Sequence, residues 1–134
     1  MPHELIHVAN LYNTDYLTAG PDILVASPAP GYKDTAESAR ASMDYVQNYA
    51  RQLGKKCGVV VVMNNILSQD AETRRIYSER STPDLFYGTA MVAGNPLARA
   101  VVSFFLGLSK LPIPLRMVDS IDSGIAWLET IKGE

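Results

Sequence analysis

Cys57-Gly58-Val59-Val60-Val61-Val62-Met63-Asn64-Asn65-Ile66-Leu67-Ser68-Gln69-Asp70 is a short apolar run that stops at two asparagines and leads into a helix start. Four valines and a methionine in succession leave no polar position for either side of an extended chain. Both faces of this strand must be covered, as in the interior of a layered α/β sheet. Each fully buried valine or methionine contributes about 1.5–3 kcal/mol, so the run supplies a large share of the core. The rest of the chain reads as cover for it.

Upstream, Leu5, Ile6, Val8 and Leu11 predict a strand of moderate burial, Tyr12-Asn13-Thr14-Asp15 a turn, Gly20-Pro21-Asp22 a second turn, and Ile23–Ala26 a strong strand. Pro28 and Pro30 close that strand, because proline cannot donate to a ladder. The opening is thus a meander of two or three strands. Asp34 and Glu37 have capping-box spacing and predict a helix start, with Ala39, Met43, Val46, Ala50 and Leu53 on one face and a stop at Gly54. Arg40, Asp44, Gln47 and Arg51 fall on the opposite side.

Downstream, Ser68 or Asp70 caps a polar helix reaching about Ser81, Leu85–Ala93 is the next strand, and Asn95-Pro96 places a cap before a proline at the first helical position. The helix from Pro96 to Leu108 carries Leu97, Val101, Val102, Phe104, Phe105, Leu106 and Leu108 and is apolar nearly all round. A proline-rich connector, 110–114, leads to a last strand at 115–118. Ser120 caps a final helix striped by Ile121, Ile125, Leu128 and Ile131, with Gly133 at its exit. The predicted order is β-β-α-β-α-β-α-β-α, a single α/β domain with a mostly parallel sheet and antiparallel strands at one edge.

Composition narrows the function. A chain of 134 residues that is 47% hydrophobic and 19% charged is globular. Its net charge of −2 gives no long-range attraction for nucleic acid. The lone Cys57 excludes an internal disulfide framework and fits a small core residue in a reducing compartment. The N-terminus lacks the pattern of a signal peptide, and no apolar stretch approaches the ~20 residues of a membrane span. A cytoplasmic location is the expectation.

With the elements in order, Thr73-Arg74-Arg75-Ile76-Tyr77, Ala90-Met91-Val92-Ala93, Asn95-Pro96-Leu97-Ala98-Arg99, Ser103-Phe104-Phe105-Leu106-Gly107-Leu108, Pro112-Ile113-Pro114 and Ile125-Ala126-Trp127-Leu128 can be set beside known families. From Val59 onward the chain resembles the STAS family, the fold of the sporulation anti-anti-sigma factors (SpoIIAA-like), and in particular its small bacterial members of uncharacterised role. That family shares features with CRAL-TRIO lipid-binding domains. The resemblance implies a STAS-like sheet. It also implies a serine or threonine at the helix start after the central strand that a partner kinase phosphorylates, a role a helix N-terminus suits. Ser68 lies at that place, but the aspartate-serine pair and the glycine of the family pattern are missing from Asn64–Asp70.

Three non-enzymatic functions therefore stand as expectations. The first is protein–protein contact or homodimerisation through Phe104, Phe105, Leu108, Leu111 and Ile113, because a helix apolar on every side needs cover on every side. The second is binding of a small apolar molecule or lipid under the same helix. The third is a phosphorylation switch at Ser68, with Asn64 and Asn65 in a ligand loop. Arg74, Arg75 and Arg80 alternate with acids at helical spacing and read as a solvated face. His3 and His7 lack a third ligand nearby, so neither metal nor cofactor is expected. No nucleophile elbow, phosphate loop, Cys-x-x-Cys or His-Glu-x-x-His occurs, and catalysis is not expected.

Overall fold

The computed structural model describes residues 4–107 and 112–132. Eight strands and four helices follow one another: β1 (Leu5–Leu11), β2 (Thr14–Ala19), β3 (Ile23–Pro28), β4 (Tyr32–Asp34), α1 (Ala36–Leu53), β5 (Cys57–Val62), β6 (Ile66–Gln69), α2 (Ala71–Arg80), β7 (Phe86–Val92), α3 (Pro96–Leu106), β8 (Leu115–Val118) and α4 (Ile121–Ile131). Six strands form one sheet in the order β1-β2-β3-β5-β7-β8, and β4 pairs with β6 in a separate two-stranded ribbon. The first two pairings of the sheet are antiparallel and the other three parallel. The architecture is α/β with a mixed, mostly parallel sheet.

The valine strand lies where its composition requires. β5 runs between β3 and β7, with Val59 and Val61 on one face and Val60 and Val62 on the other. On the first face, Leu24, Ala26 and Val59 pack against Met43, Val46 and Ala50 of α1, while Met91 and Met63 meet Ala98, Val102 and Phe105 of α3. On the second, Val25, Val60, Ala90 and Val92 meet Ile125 and Leu128 of α4. Helix α4 rides close to the sheet because Gly124 faces it: a Cβ there would lie 3.1 Å from Ala90 Cβ and 3.4 Å from Val60 Cγ1.

Several boundaries differ from the sequence reading. The N-cap of α1 is Thr35, whose hydroxyl accepts from the Ser38 amide at 3.2 Å while the Ser38 hydroxyl accepts from the Thr35 amide at 2.8 Å. This threonine-serine box displaces the aspartate-glutamate box expected one residue earlier, and Asp34 ends β4 instead. Tyr12 and Asn13 both have positive φ, the geometry of a tight two-residue hairpin, which lets β2 begin at Thr14. Gly54, at φ 75°, stops α1 as expected, and Asn95 and Ser120 cap α3 and α4. Gln47, placed on the solvent side by periodicity, is buried and donates to the Arg80 carbonyl at 2.9 Å. β1 is an edge strand with almost every residue exposed, not moderately buried.

Candidate functional site

The short strand β4 delivers Asp34 to a junction of four elements. Asp34 is 5% exposed. Oδ1 accepts from Ser38 Oγ of α1 at 2.6 Å and from Tyr77 Oη of α2 at 3.1 Å, and Oδ2 accepts from Gln69 Nε2 of β6 at 2.9 Å. Burying a carboxylate is costly unless hydrogen bonds compensate it, and here three neutral donors do so. Tyr77 is a donor at neutral pH, since burial and the adjacent Asp34 charge both push its phenol well above the usual tyrosine value.

Asp34, Gln69 and Tyr77 form the polar end of an internal cavity of about 70 Å³. The remaining wall is mostly apolar, with Ala26, Val59 and Met91 from the sheet, Met43 and Val46 from α1, and Phe105 from α3, and it also includes Thr14, Ser81 and Thr89. A single water needs about 10–15 Å³ and a cavity that takes benzene has about 150 Å³, so the space suits a molecule smaller than a benzene ring. Ser42 also lines it and shares a 2.7 Å hydrogen bond with Tyr16 Oη. Burial pushes the Tyr16 phenol up to about 12, which keeps it neutral. The amide of Gln69 has one fixed orientation, because rotating it by half a turn would set its oxygen against the Asp34 carboxylate. In that orientation Gln69 Oε1 is buried and has no hydrogen-bond partner among the described residues.

The residues singled out from sequence are placed elsewhere. Asn64 Oδ1 accepts from the Gly94 amide at 2.6 Å and Asn95 Nδ2 donates to the Asn64 carbonyl at 2.8 Å, tying the ends of β5 and β7 together. Asn65 Nδ2 donates to the Pro28 carbonyl at 3.0 Å. Ser68 sits within β6, exposed and paired in register with Lys33, while Asp70 caps α2 by accepting from the Thr73 amide at 2.8 Å. The hydroxyl of Ser68 is therefore not at a helix N-terminus. Phe105 and Ile113 are core residues at 3% and 6% exposure, sealed against the sheet and helices of their own chain rather than available to another. Phe104 is half-exposed beneath the Arg74 guanidinium, 4.2 Å from the ring centroid. Leu108, Leu111 and His3 lie outside the described residues.

The three arginines of α2 do not form the uniformly solvated face expected of them. Arg74 donates to the Gln69 carbonyl at 2.5 Å, and Arg80 reaches Asp44 at 2.6 Å and Gln47 at 2.7 Å on α1. Arg75 alone makes an exposed pair along the helix, with Glu79. His7 Nε2 lies 3.0 Å from Asp15 on the exposed edge. Among the described residues no three His, Cys, Asp or Glu side chains gather in a way that could hold a metal, and no described helix is long and apolar enough to cross a membrane.

Sequence reasoning missed the junction itself. Asp34 carried a signal, but as a helix cap; Gln69 and Tyr77 sit in the segment of weakest periodicity.

Comparison with known families adds a classification. No curated protein matches the chain. The sequence profile of DUF7793, a domain of unknown function, matches residues 19–132, a span that includes Asp34, Gln69, Tyr77 and the apolar wall of the cavity. By that match the chain belongs to the DUF7793 family.

Proposed function

We propose that this domain is a non-enzymatic binding module that holds a small, largely apolar molecule between the sheet and helices α1–α3. The observation that carries this reading is the 70 Å³ cavity, apolar over most of its wall and polar at one end. Such a surface matches the usual build of a ligand site, where apolar walls give affinity and a few polar groups set orientation. Binding is favoured over chemistry because the groups nearest the cavity are held in inert forms. Tyr77, which lines the cavity, and Tyr16, bonded to Ser42 in its wall, stay protonated. The STAS-like reading of the second half belongs to the same proposal and is supported by the alternation of strands and helices from β3 onward.

The test is a cavity-filling substitution. Ala26→Leu adds a branched side chain inside the apolar wall. Xenon NMR is expected to show binding to the wild type and none to the variant. Xenon at about ten times its dissociation constant should stabilise the wild type by about 1.4 kcal/mol, or a few degrees in Tm. Equal xenon signals for both proteins would remove the cavity as the binding site.

A second reading, contact with another protein or a second copy, is supported by β1. This edge strand exposes Ile6 at 57% and Val8 at 45%, beside a backbone edge that no other described strand pairs with. Antiparallel pairing of β1 with the β1 of a second copy would cover both. Sedimentation equilibrium is expected to show a dimer that Ile6→Lys weakens at least about tenfold; a monomer at all concentrations would exclude it.

A further inference from the structure

We propose that the outer edge of β8 binds an extended, acidic segment of a partner protein, which adds to the sheet as a further strand and sets two carboxylates, three residues apart, against Arg99 and Arg116. This site lies at the opposite edge of the sheet from β1 and does not depend on the internal cavity.

The backbone is ready for such an addition. β8 ends the six-stranded sheet, and no other described strand pairs with its outer side. The Thr89 amide donates to the Pro114 carbonyl at 2.9 Å and the Ala93 amide to the Val118 carbonyl at 3.0 Å, so residues 114, 116 and 118 turn their backbone groups toward β7. By the alternation of a strand, Leu115 and Met117 turn theirs outward. Beside them is an open groove of about 650 Å³ whose wall comes from both faces of the strand. Arg116 pairs with Ala90 and shares the α4 face with Trp127 and Thr130, while Met117 pairs with Met91 on the face covered by α3, which supplies Arg99. A groove that straddles a strand fits an occupant lying alongside it. An added strand does this: main-chain bonds hold it, and its side chains fall alternately on the two faces.

Charge selects the kind of strand. Arg99 and Arg116 are both exposed, and neither forms an ion pair among the described residues. Arg99 makes one long hydrogen bond, from Nε to the Ala93 carbonyl at 3.4 Å. Asp119, the acid in the groove wall, accepts from the Ser123 hydroxyl at 3.3 Å, so the balance of the groove is positive. Because Arg99 is anchored at Ala93, which bonds to Val118, it stands about three residues, or about 10 Å, further along the edge than Arg116. Two side chains three apart in a strand point to opposite faces, as the two arginines require, and this spacing is the same whichever way the added strand runs.

A second copy of the chain fits less well. β1, Leu5–Leu11, contains no acid to meet the arginines, and two β8 edges laid antiparallel would bring their Arg116 side chains together. A charge on a short edge strand also discourages indiscriminate pairing. Arg116 alone would serve that purpose, whereas Arg99 reaches the groove from a different element.

The experiment measures fluorescence anisotropy of fluorescein-labelled Thr-Val-Glu-Val-Thr-Glu-Val-Thr with the full chain at low salt, beside versions with glutamine or lysine for both glutamates and one with proline for the valines. The glutamate peptide is expected to bind about three- to tenfold more tightly than the glutamine peptide, the effect of two exposed ion pairs, and this advantage should shrink in 0.5 M salt. The lysine and proline peptides should be weakest. Arg99→Gln and Arg116→Gln change exposed side chains and should each reduce the preference for glutamate while leaving the glutamine peptide's affinity unchanged. Hydrogen exchange at the Met117 amide should slow when the glutamate peptide binds, which a contact through charge alone would not produce. Glutamine or lysine peptides that match the glutamate peptide overturn the acidic specificity. Equal binding of the proline peptide, an unchanged Met117 amide, or no binding of the glutamate peptide overturns strand addition.

Discussion

Between pH 8 and pH 11 the domain is expected to lose most of its stability, with a steep alkaline unfolding transition whose slope Cys57→Ala reduces. The cause is a set of acidic groups that the fold buries in their neutral forms. Burial, reinforced by the nearby Asp22 charge, pushes the Cys57 thiol from 9.0 up to about 12. Burial pushes the Tyr16 phenol from 10.0 up to about 12, and the phenols of Tyr77 and Tyr87 also move up, again chiefly by burial. In the unfolded chain the thiol deprotonates above about pH 9 and the phenols above about pH 10. From there to about pH 12 the unfolded state binds fewer protons than the folded one, so stability falls as pH rises. At pH 11 the thiol alone accounts for a loss on the order of 3 kcal/mol, and Tyr16 for on the order of 1 kcal/mol more. Against a typical total of about 5–15 kcal/mol, that is decisive. Urea titrations at pH 8 and pH 11 measure it: the fall in unfolding free energy between the two should be on the order of 3 kcal/mol smaller for Cys57→Ala than for the wild type. A urea midpoint that stays constant to pH 11 would contradict the burial of these groups.

The same burial shows why the centre of the fold was legible in the sequence. Val59–Met63 has no polar residue to turn outward, and the structure places it between two layers of helix, with Val60 fully buried. Gly54, Asn95 and Ser120 were legible because each signal is local: a positive φ, or a side chain reaching the amide three residues on. The ribbon of β4 and β6 was not. Its strands span Tyr32–Asp34 and Ile66–Gln69, too short for alternation to register, and their pairing joins segments separated by the whole of α1 and β5. Sequence left the cap of α2 open between Ser68 and Asp70, because serine and aspartate two residues apart both suit that place. The ribbon claims the first and leaves the cap to Asp70.

Helix α3 shows where composition misleads. Its apolar circumference suggested an outer face made for another chain. Part of the demand is met internally: Phe105 closes the cavity, Ile113 returns into the core, and the Arg74 guanidinium covers one side of Phe104. An arginine on an aromatic face leaves no periodic trace, since the two residues belong to different helices. Leu97, Phe104 and Leu106 of α3 stay exposed, and a further exposed apolar surface lies on β1, a strand that sequence alone put at moderate burial.

The polar junction was hidden because its members are remote in sequence. Asp34, Gln69 and Tyr77 are common residue types in unremarkable local settings, and only the crossing of β4 and β6 with α1 and α2 makes them a unit. That unit sets a strong expectation for Asp34→Ala: a loss of about 3–5 kcal/mol, comparable to breaking a buried charge network. The substitution leaves Tyr77 Oη, Gln69 Nε2 and Ser38 Oγ without their shared acceptor. A buried donor stripped of its partner costs about 1–3 kcal/mol. Ser38 can recover part by turning its hydroxyl to the Thr35 carbonyl, already 3.1 Å away, so its share is the smallest. Ser38→Ala should accordingly cost only about 1–2 kcal/mol, combining one lost hydrogen bond with half of the capping box. The two substitutions meet at one hydrogen bond, so the double variant should lose less than the sum of the singles. Hydrogen exchange gives an independent readout: the Tyr32 amide, bonded to the Asn65 carbonyl at 3.0 Å across the ribbon, should lose protection in Asp34→Ala more than the amides of β5 do. An Asp34→Ala variant within about 1 kcal/mol of the wild type would show that the carboxylate does not hold these elements together, because surface changes typically fall in that range.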